Sequence, residues 1–236
     1  QALLAPFAKW ITTGRPFVTL KMGMTLDGRI ADSTGRSRWI TGPAARREVR
    51  RLRQRADAIV VGRNTAACDD PSLRWSAIAS RNPKRIIVDA TGAVSPDSQV
   101  FQDGQAQNTI VATTRNCPEA CAAAYVATGA QVWYCGRGRR VSLRLLMKRI
   151  GEAGLLHVLC EGGGELAAQL VRDEYVDAFE FFVAPTLLGG GGAPVIGGKG
   201  WPLGHAPALR FTEVKQVGDD VLIRAVPAGA ASCITC

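Results

Sequence analysis

Short runs of apolar and β-branched residues alternate along the chain with stretches in which apolar residues have helical spacing. The apolar runs predict strands over 17–22, 58–61, 85–89, 109–113, 131–134, 156–160 and 178–184. Helical spacing predicts helices from Thr41 to Arg55, over about 142–151 and over about 164–172, and Thr41 before Gly42-Pro43 is a candidate cap of the first. Strands alternating with helices predict an α/β fold with a mixed, mainly parallel sheet flanked by helices.

The last strands have a different arrangement. Apolar alternation over 209–217 and 221–226 flanks the turn Gly218-Asp219-Asp220, which predicts a C-terminal antiparallel hairpin. We expect residues 1–15 to form a connector, 16–228 a single domain and 229–236 a C-terminal tail. No apolar run approaches the length of a membrane-spanning helix.

A net charge of +9 narrows the candidate ligands. Eight of the 29 basic residues lie between Arg36 and Arg55, and all eight are arginine, the residue that binds phosphate through two parallel hydrogen bonds. On a helix such residues usually form a solvated face, so most of them are expected to be exposed. Phosphorylated small molecules are the favoured partners over nucleic acid, because aromatic residues make up only 6% of the chain and no aromatic-interleaved basic stretch suggests base stacking.

The seven cysteines are scattered and odd in number, which predicts a reducing compartment and no disulfide framework. Cys233 and Cys236 form one C-x-x-C pair near the C-terminus, but no second pair or nearby histidine completes a tetrahedral zinc site. We therefore predict no metal site.

Two glycine-containing segments follow predicted strands. Cys160-Glu161-Gly162-Gly163-Gly164-Glu165 opens a predicted helix, where glycines allow close approach of the backbone and free N–H groups favour an anion. Gly62-Arg63-Asn64-Thr65 follows another strand. Neither is the G-x-G-x-x-G fingerprint, and each alone is also compatible with an ordinary turn. Together they favour a dinucleotide, which has two phosphates to hold.

Two charged residues stand beside these segments. Lys21 lies at the end of the first predicted strand, and Glu161 directly precedes the glycine cluster. A lysine on a strand is usually solvated, and a carboxylate before a helix is often a cap.

These motifs, in this order, resemble the riboflavin-biosynthesis pyrimidine reductases, and most closely the C-terminal reductase half of the bifunctional deaminase-reductase. The resemblance covers roughly 13–226. It rests on 21–29, Ser37-Arg38-Trp39-Ile40-Thr41, Asp69-Asp70-Pro71-Ser72-Leu73, Glu161-Gly162-Gly163 and 184–189. It implies a dihydrofolate-reductase-like fold and NADPH as the cofactor, with hydride transfer to C1′ of the ribose of 5-amino-6-(5-phosphoribosylamino)uracil.

The resemblance also implies roles for single residues. Lys21 and Glu161 match positions at the reacting centre, and Glu161 is expected to hold the pyrimidine edge while Ser37 and Arg53 bind the 5′-phosphate. For the substrate, the resemblance also matches Leu73 and Arg74. The positions that it matches to cofactor contacts are Gly23, Trp39, Gly62, Arg63, Thr65, Asp69, Gly162 and the stretch from Gly163 to Gln169, which includes Gly164, Glu165 and Leu166. Near Asp89, where relatives carry a cofactor-contacting serine, this chain has Ala90-Thr91, and that contact is not carried over.

The bifunctional relatives also contain a zinc deaminase with H-x-E and P-C-x-x-C motifs. His157 and His205 are the two histidines of this chain, and neither stands in such a pattern. We expect no deaminase activity in this chain, which resembles an excised half of a longer polypeptide, and we expect a cytoplasmic or plastid-stromal homodimer. Dihydrofolate reduction on the same fold and a basic nucleic-acid-binding module remain the alternatives.

Overall fold

A mixed β-sheet forms the centre of the part of the chain that the structure, a computed structural model, describes: residues 4–76, 78 and 82–229. The strands are β1 Phe17–Thr25, β2 Arg29–Ala31, β3 Ala58–Gly62, β4 Lys84–Val88, β5 Thr109–Thr113, β6 Gln131–Tyr134, β7 His157–Cys160, β8 Ala178–Ala184, β9 Ala193–Pro194, β10 Leu209–Val217 and β11 Asp220–Pro227. The helices are α1 Ala5–Thr13, α2 Pro43–Arg55, α3 Arg63–Asp69, α4 Gln99–Gln102, α5 Glu119–Ala127, α6 Leu143–Glu152 and α7 Gly164–Arg172.

The strand order of the large sheet is β10-β11-β8-β1-β7-β3-β4-β5-β6. All neighbours from β8 to β6 are parallel, whereas β11 pairs antiparallel with β8 and β10. The predicted mixed, mainly parallel sheet with a C-terminal hairpin is therefore confirmed. Because β7 lies between β1 and β3, the carboxyl ends of three strands that are far apart in sequence meet at one edge.

Both faces of the sheet are covered, which explains why its central strands are continuous apolar runs. Successive residues point to opposite faces. In β3, Val60 packs in a core cluster with Leu146 of α6, while Ile59 packs in a second cluster with Val49 of α2. The two helix layers thus hold the sheet edge rigidly.

The predicted bounds of β5, β6, β8 and α7 agree with the structure. Pattern analysis missed β2, β9 and the helices α1, α3, α4 and α5. Most of these elements are too short to show a period. The antiparallel pairing of β2 with β9 joins residues more than 160 positions apart, which no local pattern encodes.

Helix α1 lies within the segment expected to be a connector, and it packs on the sheet domain. Trp10 Nε1 donates to the carbonyl of Gly151 at 2.9 Å, and Lys9 forms an ion pair with Asp177. The chain after α1 passes so close to α6 that a Cβ at Gly151 would overlap the carbonyl oxygen of Gly14. The division into connector, domain and tail stays a prediction, and residues 230–236 of the tail, with Cys233 and Cys236, lie outside the described residues.

The start of α2 differs from the expected cap. Its N-cap residue is Gly42 rather than the expected Thr41, so the cap has no side chain that could accept a hydrogen bond. Instead the buried carboxylate of Asp220, at the start of β11, accepts from the N–H of Gly42 at 2.7 Å. An anion at a helix N-terminus is favourable, so the C-terminal hairpin fixes the entry of α2.

Candidate active site

Two connected cavities lie at the carboxyl edge of the sheet. The first, of about 630 Å³, is lined by 62–65 at the end of β3 and 163–166 at the start of α7, and we name it the glycine groove. The second, of about 470 Å³, is lined by Lys21, Glu161 and arginines of α2, and we name it the arginine pocket. Ser37, Thr65, Asp69 and Gly163 line both cavities, so one ligand can extend from one into the other.

The glycine groove is built on two neighbouring parallel strands. Val60 of β3 pairs with Cys160 of β7. β3 passes directly into α3, β7 is joined to α7 by three residues, and neither helix start carries a side-chain cap. Gly162 and Gly163 have φ values of 152° and 80°, and a Cβ at Gly162 would lie 3.0 Å from Thr65 Oγ1. The backbone at the start of α7 is therefore exposed to the groove in a way that only glycine permits, with free N–H groups suited to phosphate.

A loop forms the roof of this groove. Gly197 N donates to the carbonyl of Gly164 at 2.9 Å, and Gly198 N donates to Glu165 Oε1 at 2.9 Å. The carboxylate of Glu165 is thus engaged by the loop. A Cβ at Gly164 would overlap the carbonyl oxygen of Pro194 in β9, so the roof and the start of α7 fit together only with glycine there.

One face of α2 supplies the cations of the arginine pocket. Ala45, Val49 and Leu52 form its buried stripe. α2 carries six arginines, and we expected most of them on a solvated face. Three of these arginines line the pocket and are three or four residues apart, as residues on one face of a helix are, namely Arg46, Arg50 and Arg53. The other three are exposed outside it, namely Arg47, Arg51 and Arg55.

A buried ionic triad lies at the floor of the arginine pocket. Glu161 Oε1 and Oε2 accept from Arg53 Nε at 2.6 Å and Nη2 at 2.9 Å, and Lys21 Nζ lies 4.0 Å from Glu161 Oε2. The Glu161 side chain is only 5% exposed. A buried carboxylate requires paired cations, so the two residues expected to hold pyrimidine and phosphate are bound to each other here.

The triad shifts the protonation equilibria of its members. Burial alone would raise the pKa of Glu161, but the charge and hydrogen bonds of Arg53, with the charge of Lys21, outweigh it and lower that pKa. Burial is also the largest influence on Lys21, where it lowers the pKa of the amine despite the opposing charge of Glu161. Glu161 is therefore a carboxylate at neutral pH, and Lys21 Nζ gives up a proton more readily than a solvated lysine does.

The passage between the cavities is lined by polar and aromatic side chains. Ser37 Oγ donates to Asp69 Oδ1, and the guanidinium of Arg38 donates to the carbonyl of Asp69. Trp39 is 69% exposed, with the guanidinium of Arg46 4.6 Å from its ring centroid. Such a ring offers a flat apolar surface, held by a cation, to a ligand that spans both cavities.

Leu73 and Arg74 both line the arginine pocket, but their side chains have other contacts. Leu73 is 2% exposed, packs in the core and has a φ of 55°, a left-handed value that is uncommon for leucine. Arg74 Nε lies 3.4 Å from Asp103 Oδ2, and its carbonyl accepts from Arg53 at 3.2 Å. The 73–74 segment therefore positions Arg53.

The site residues expected from the sequence line one of the two cavities, except Ala167 and Ala168, which are buried in the core. Gly23, Trp39 and Gly162 lie on the arginine-pocket side. Their individual roles stay predictions. The sequence analysis missed Arg139 and Arg140, and it left Thr91 aside, although all three line the glycine groove. The arginines between β6 and α6 are visible in the sequence, but no local pattern predicts that they lie beside the glycine segments.

The described residues, 4–76, 78 and 82–229, contain neither a candidate metal site nor a candidate membrane-spanning helix. No group of three or more His, Cys, Asp or Glu side chains there could hold a metal ion. Within the same ranges no helix combines the length and apolarity that crossing a membrane demands.

Comparison with known proteins agrees with this geometry. The model of the RibD C-terminal domain family matches residues 16–223. The chain belongs to this family. The resemblance found in the sequence is thereby confirmed.

Two curated members of the family illustrate the similarity. The riboflavin biosynthesis protein RibD of Chlamydia trachomatis is 34% identical over 222 residues, which are 92% of this chain and 59% of that protein. The 2,5-diamino-6-ribosylamino-4(3H)-pyrimidinone 5′-phosphate reductase of Methanothermobacter thermautotrophicus is 34% identical over 214 residues, 89% of this chain and 97% of that protein.

The solved structure of Acinetobacter baumannii RibD, form 1, superposes with a TM-score of 0.82 at 25% identity over 95% of this chain and 62% of that one. The chain therefore spans about three fifths of the length of the RibD proteins that it matches.

Proposed function

We propose that this chain is an NADPH-dependent oxidoreductase of riboflavin biosynthesis, which reduces the ribose of 5-amino-6-(5-phosphoribosylamino)uracil at C1′ to give the ribitylamino product. One observation carries the proposal: the glycine groove opens directly into the arginine pocket. A dinucleotide in the first would place its reactive end beside a phosphorylated substrate in the second. The name of the Methanothermobacter relative, a phosphorylated pyrimidinone reductase, supports the same reaction class.

The residues of the glycine groove fit a dinucleotide phosphate. Gly162 and Gly163 hold positive φ values, and the start of α7, which lines the groove, has no side-chain cap, so its first N–H groups are available to an anion. When bound, NADPH supplies the hydride, and the protein supplies binding and orientation. Thr65, beside Gly162, adds a hydroxyl to the same cradle.

The arginine pocket fits a phosphorylated pyrimidine. Its lining contains six cationic side chains against two carboxylates, a balance that favours a dianionic phosphate. Glu161, fixed by Arg53, presents a carboxylate suited to the N–H groups of a pyrimidine edge. Lys21 Nζ, 4.0 Å from Glu161 and with a lowered pKa, is placed to donate a proton next to the reacting carbon.

The reaction itself is the test of this proposal. With chelator present and no added metal, the purified chain is expected to oxidise NADPH when given the deaminated phosphoribosylamino-uracil, faster than with NADH. It should release no ammonia from the diamino precursor, because pyrimidine deamination needs a zinc-activated water. Turnover of dihydrofolate in place of the pyrimidine, or ammonia release abolished by chelation, would refute the assignment. A homodimer and a deaminase domain in the parent polypeptide stay predictions.

Replacing Arg50 distinguishes a direct contact with the substrate phosphate from a general effect of positive charge on substrate binding. It lines the arginine pocket, is exposed, and has no hydrogen-bond or ion-pair partner in the described part of the chain. Arg50→Gln is expected to raise KM for the phosphorylated substrate roughly tenfold, the effect of losing one charge-assisted hydrogen bond, with kcat and cofactor affinity little changed. Arg47→Gln, which removes the same charge from outside the pocket, is the matched control. Equal KM values for the two variants would exclude the phosphate contact.

A further inference from the structure

The far end of the glycine groove is distinct from the end that opens into the arginine pocket. From the strand that bears Glu161, the groove continues past β3 to β4, two strands away at about 4.8 Å per strand. There it is lined by the apolar side chains of Val88, Ala90 and Val141. A dinucleotide with its reactive end near Lys21 and its phosphates at α7 would extend its adenosine to this end.

Three exposed arginines, from elements far apart in sequence, line this end. Arg63 begins α3, and Arg139 and Arg140 lie between β6 and α6. Arg63 Nη1 donates to Thr91 Oγ1 at 3.3 Å and Nε to Asn64 Oδ1 at 3.4 Å, both neutral acceptors. Within the ranges that the structure describes, Arg139 and Arg140 have neither a hydrogen-bond nor an ion-pair partner. Three positive charges without a carboxylate partner favour an anionic ligand.

The carboxylate of Asp89, which follows β4, does not line the groove. In NAD-selective Rossmann sites a carboxylate accepts a hydrogen bond from the ribose 2′-hydroxyl, and such a group would repel a 2′-phosphate. Asp89 is fully buried here, and its oxygens accept from the N–H groups of Thr91, Gly92 and Val94 at 2.9–3.2 Å. Thr91 Oγ1 also donates to Asp89 Oδ1, at 3.4 Å. The carboxylate is thus bound within the turn, and the side chains that line the groove here are those of Thr91 and the arginines.

We infer that Arg139 and Arg140, with Arg63 and Thr91, bind the 2′-phosphate of the adenosine half of the dinucleotide and so determine selectivity for the phosphorylated cofactor. This inference rests on the proposed function, because it assumes that the glycine groove holds a dinucleotide. It adds the residues that distinguish the two nicotinamide cofactors, two of which come from a loop outside both glycine motifs.

The test measures binding, without the reductase reaction. The probes are adenosine 2′,5′-bisphosphate and adenosine 5′-monophosphate, titrated calorimetrically into the full chain, since they differ only in the 2′-phosphate. The variant R139Q/R140Q is expected to bind the bisphosphate at least about tenfold more weakly and the monophosphate within twofold of wild type. The control R137Q/R144Q removes two exposed arginines outside the groove lining and should bind both probes as wild type does.

The possible results separate the inference from the proposed function. If wild type prefers the bisphosphate and R139Q/R140Q keeps that preference, the groove binds a phosphorylated dinucleotide but these arginines do not select it. Equal weakening of both probes in R139Q/R140Q would assign the arginines to the shared 5′-phosphate and overturn the inference. If wild type binds neither probe, the dinucleotide groove and the inference both fail.

Discussion

Replacing Glu161 by glutamine is expected to lower kcat/KM about a hundredfold or more while the chain stays folded. Glu161 holds Arg53 through two charge-assisted hydrogen bonds and lies 4.0 Å from Lys21, all at the floor of the arginine pocket. Each such bond contributes about 1.5–3 kcal/mol, and glutamine can replace only one of them without its charge. Because the pKa of Glu161 is lowered, the loss should be the same across the neutral pH range.

The control for this variant is another part-buried, ion-paired carboxylate, which lies at the amino ends of the strands. Asp177 pairs with Lys9 and accepts from the N–H of Val18 at 2.8 Å, far from both cavities. Asp177→Asn should destabilise the chain by an amount of the same order as Glu161→Gln does. It should leave kcat/KM within about twofold, since the Lys9–Asp177 ion pair touches no ligand. The measurements are steady-state kinetics and denaturant unfolding. Unchanged kcat/KM in folded Glu161→Gln would mean that Glu161 only neutralises Arg53.

Gly164→Ala is expected to weaken dinucleotide binding tenfold or more and to destabilise the chain by about 1–3 kcal/mol. Alanine is the better helix former by about 1 kcal/mol, so helix propensity alone predicts the opposite sign. The added Cβ would overlap the carbonyl oxygen of Pro194 and lie 3.2 Å from Gly197 N. The roof would have to move away from α7, which would disturb the backbone that faces the phosphates.

Gly204→Ala is the matched control for this substitution, because a Cβ at Gly204 would have no atom within 4 Å and its φ is not positive. Binding of adenosine 2′,5′-bisphosphate and thermal unfolding report the two effects. A Gly164→Ala chain with wild-type stability and wild-type affinity would show that the roof is not seated on α7.

Much of the local structure follows from the residues alone. The bounds of β5, β8 and α7 agree with the apolar patterns, because the periods of strands and helices are set by backbone geometry over a few residues. The two glycine segments are also local, since the end of a strand and the start of a helix are encoded within about six residues. Lys21 and Glu161 were recognised through the motifs around them.

The pairing of charges could not be predicted in the same way. Arg53 and Glu161 are 108 residues apart, and they meet because β7 inserts between β1 and β3 while α2 packs across that edge. Strand order depends on how whole faces bury each other, which no short window contains. For the same reason Asp220, 178 residues away, replaces the expected cap Thr41 at the start of α2.

The sequence by itself determined the strands of the large sheet, the helices α2, α6 and α7, the two glycine segments and the family, because these depend on neighbouring residues. Only the tertiary structure decided which arginines line a cavity. Arg46, Arg50 and Arg53 each follow a residue of the buried stripe of α2, so they lie about 100° around the helix from the core, at the edge where the pocket opens. Arg139 and Arg140 line the glycine groove although they follow β6, the edge strand, which lies three strands from β3. The sequence does not distinguish an arginine that lines a cavity from one on a solvated face, because both have the same long, flexible, charged side chain. Packing of the helices and strands alone determines which of them can contact a ligand.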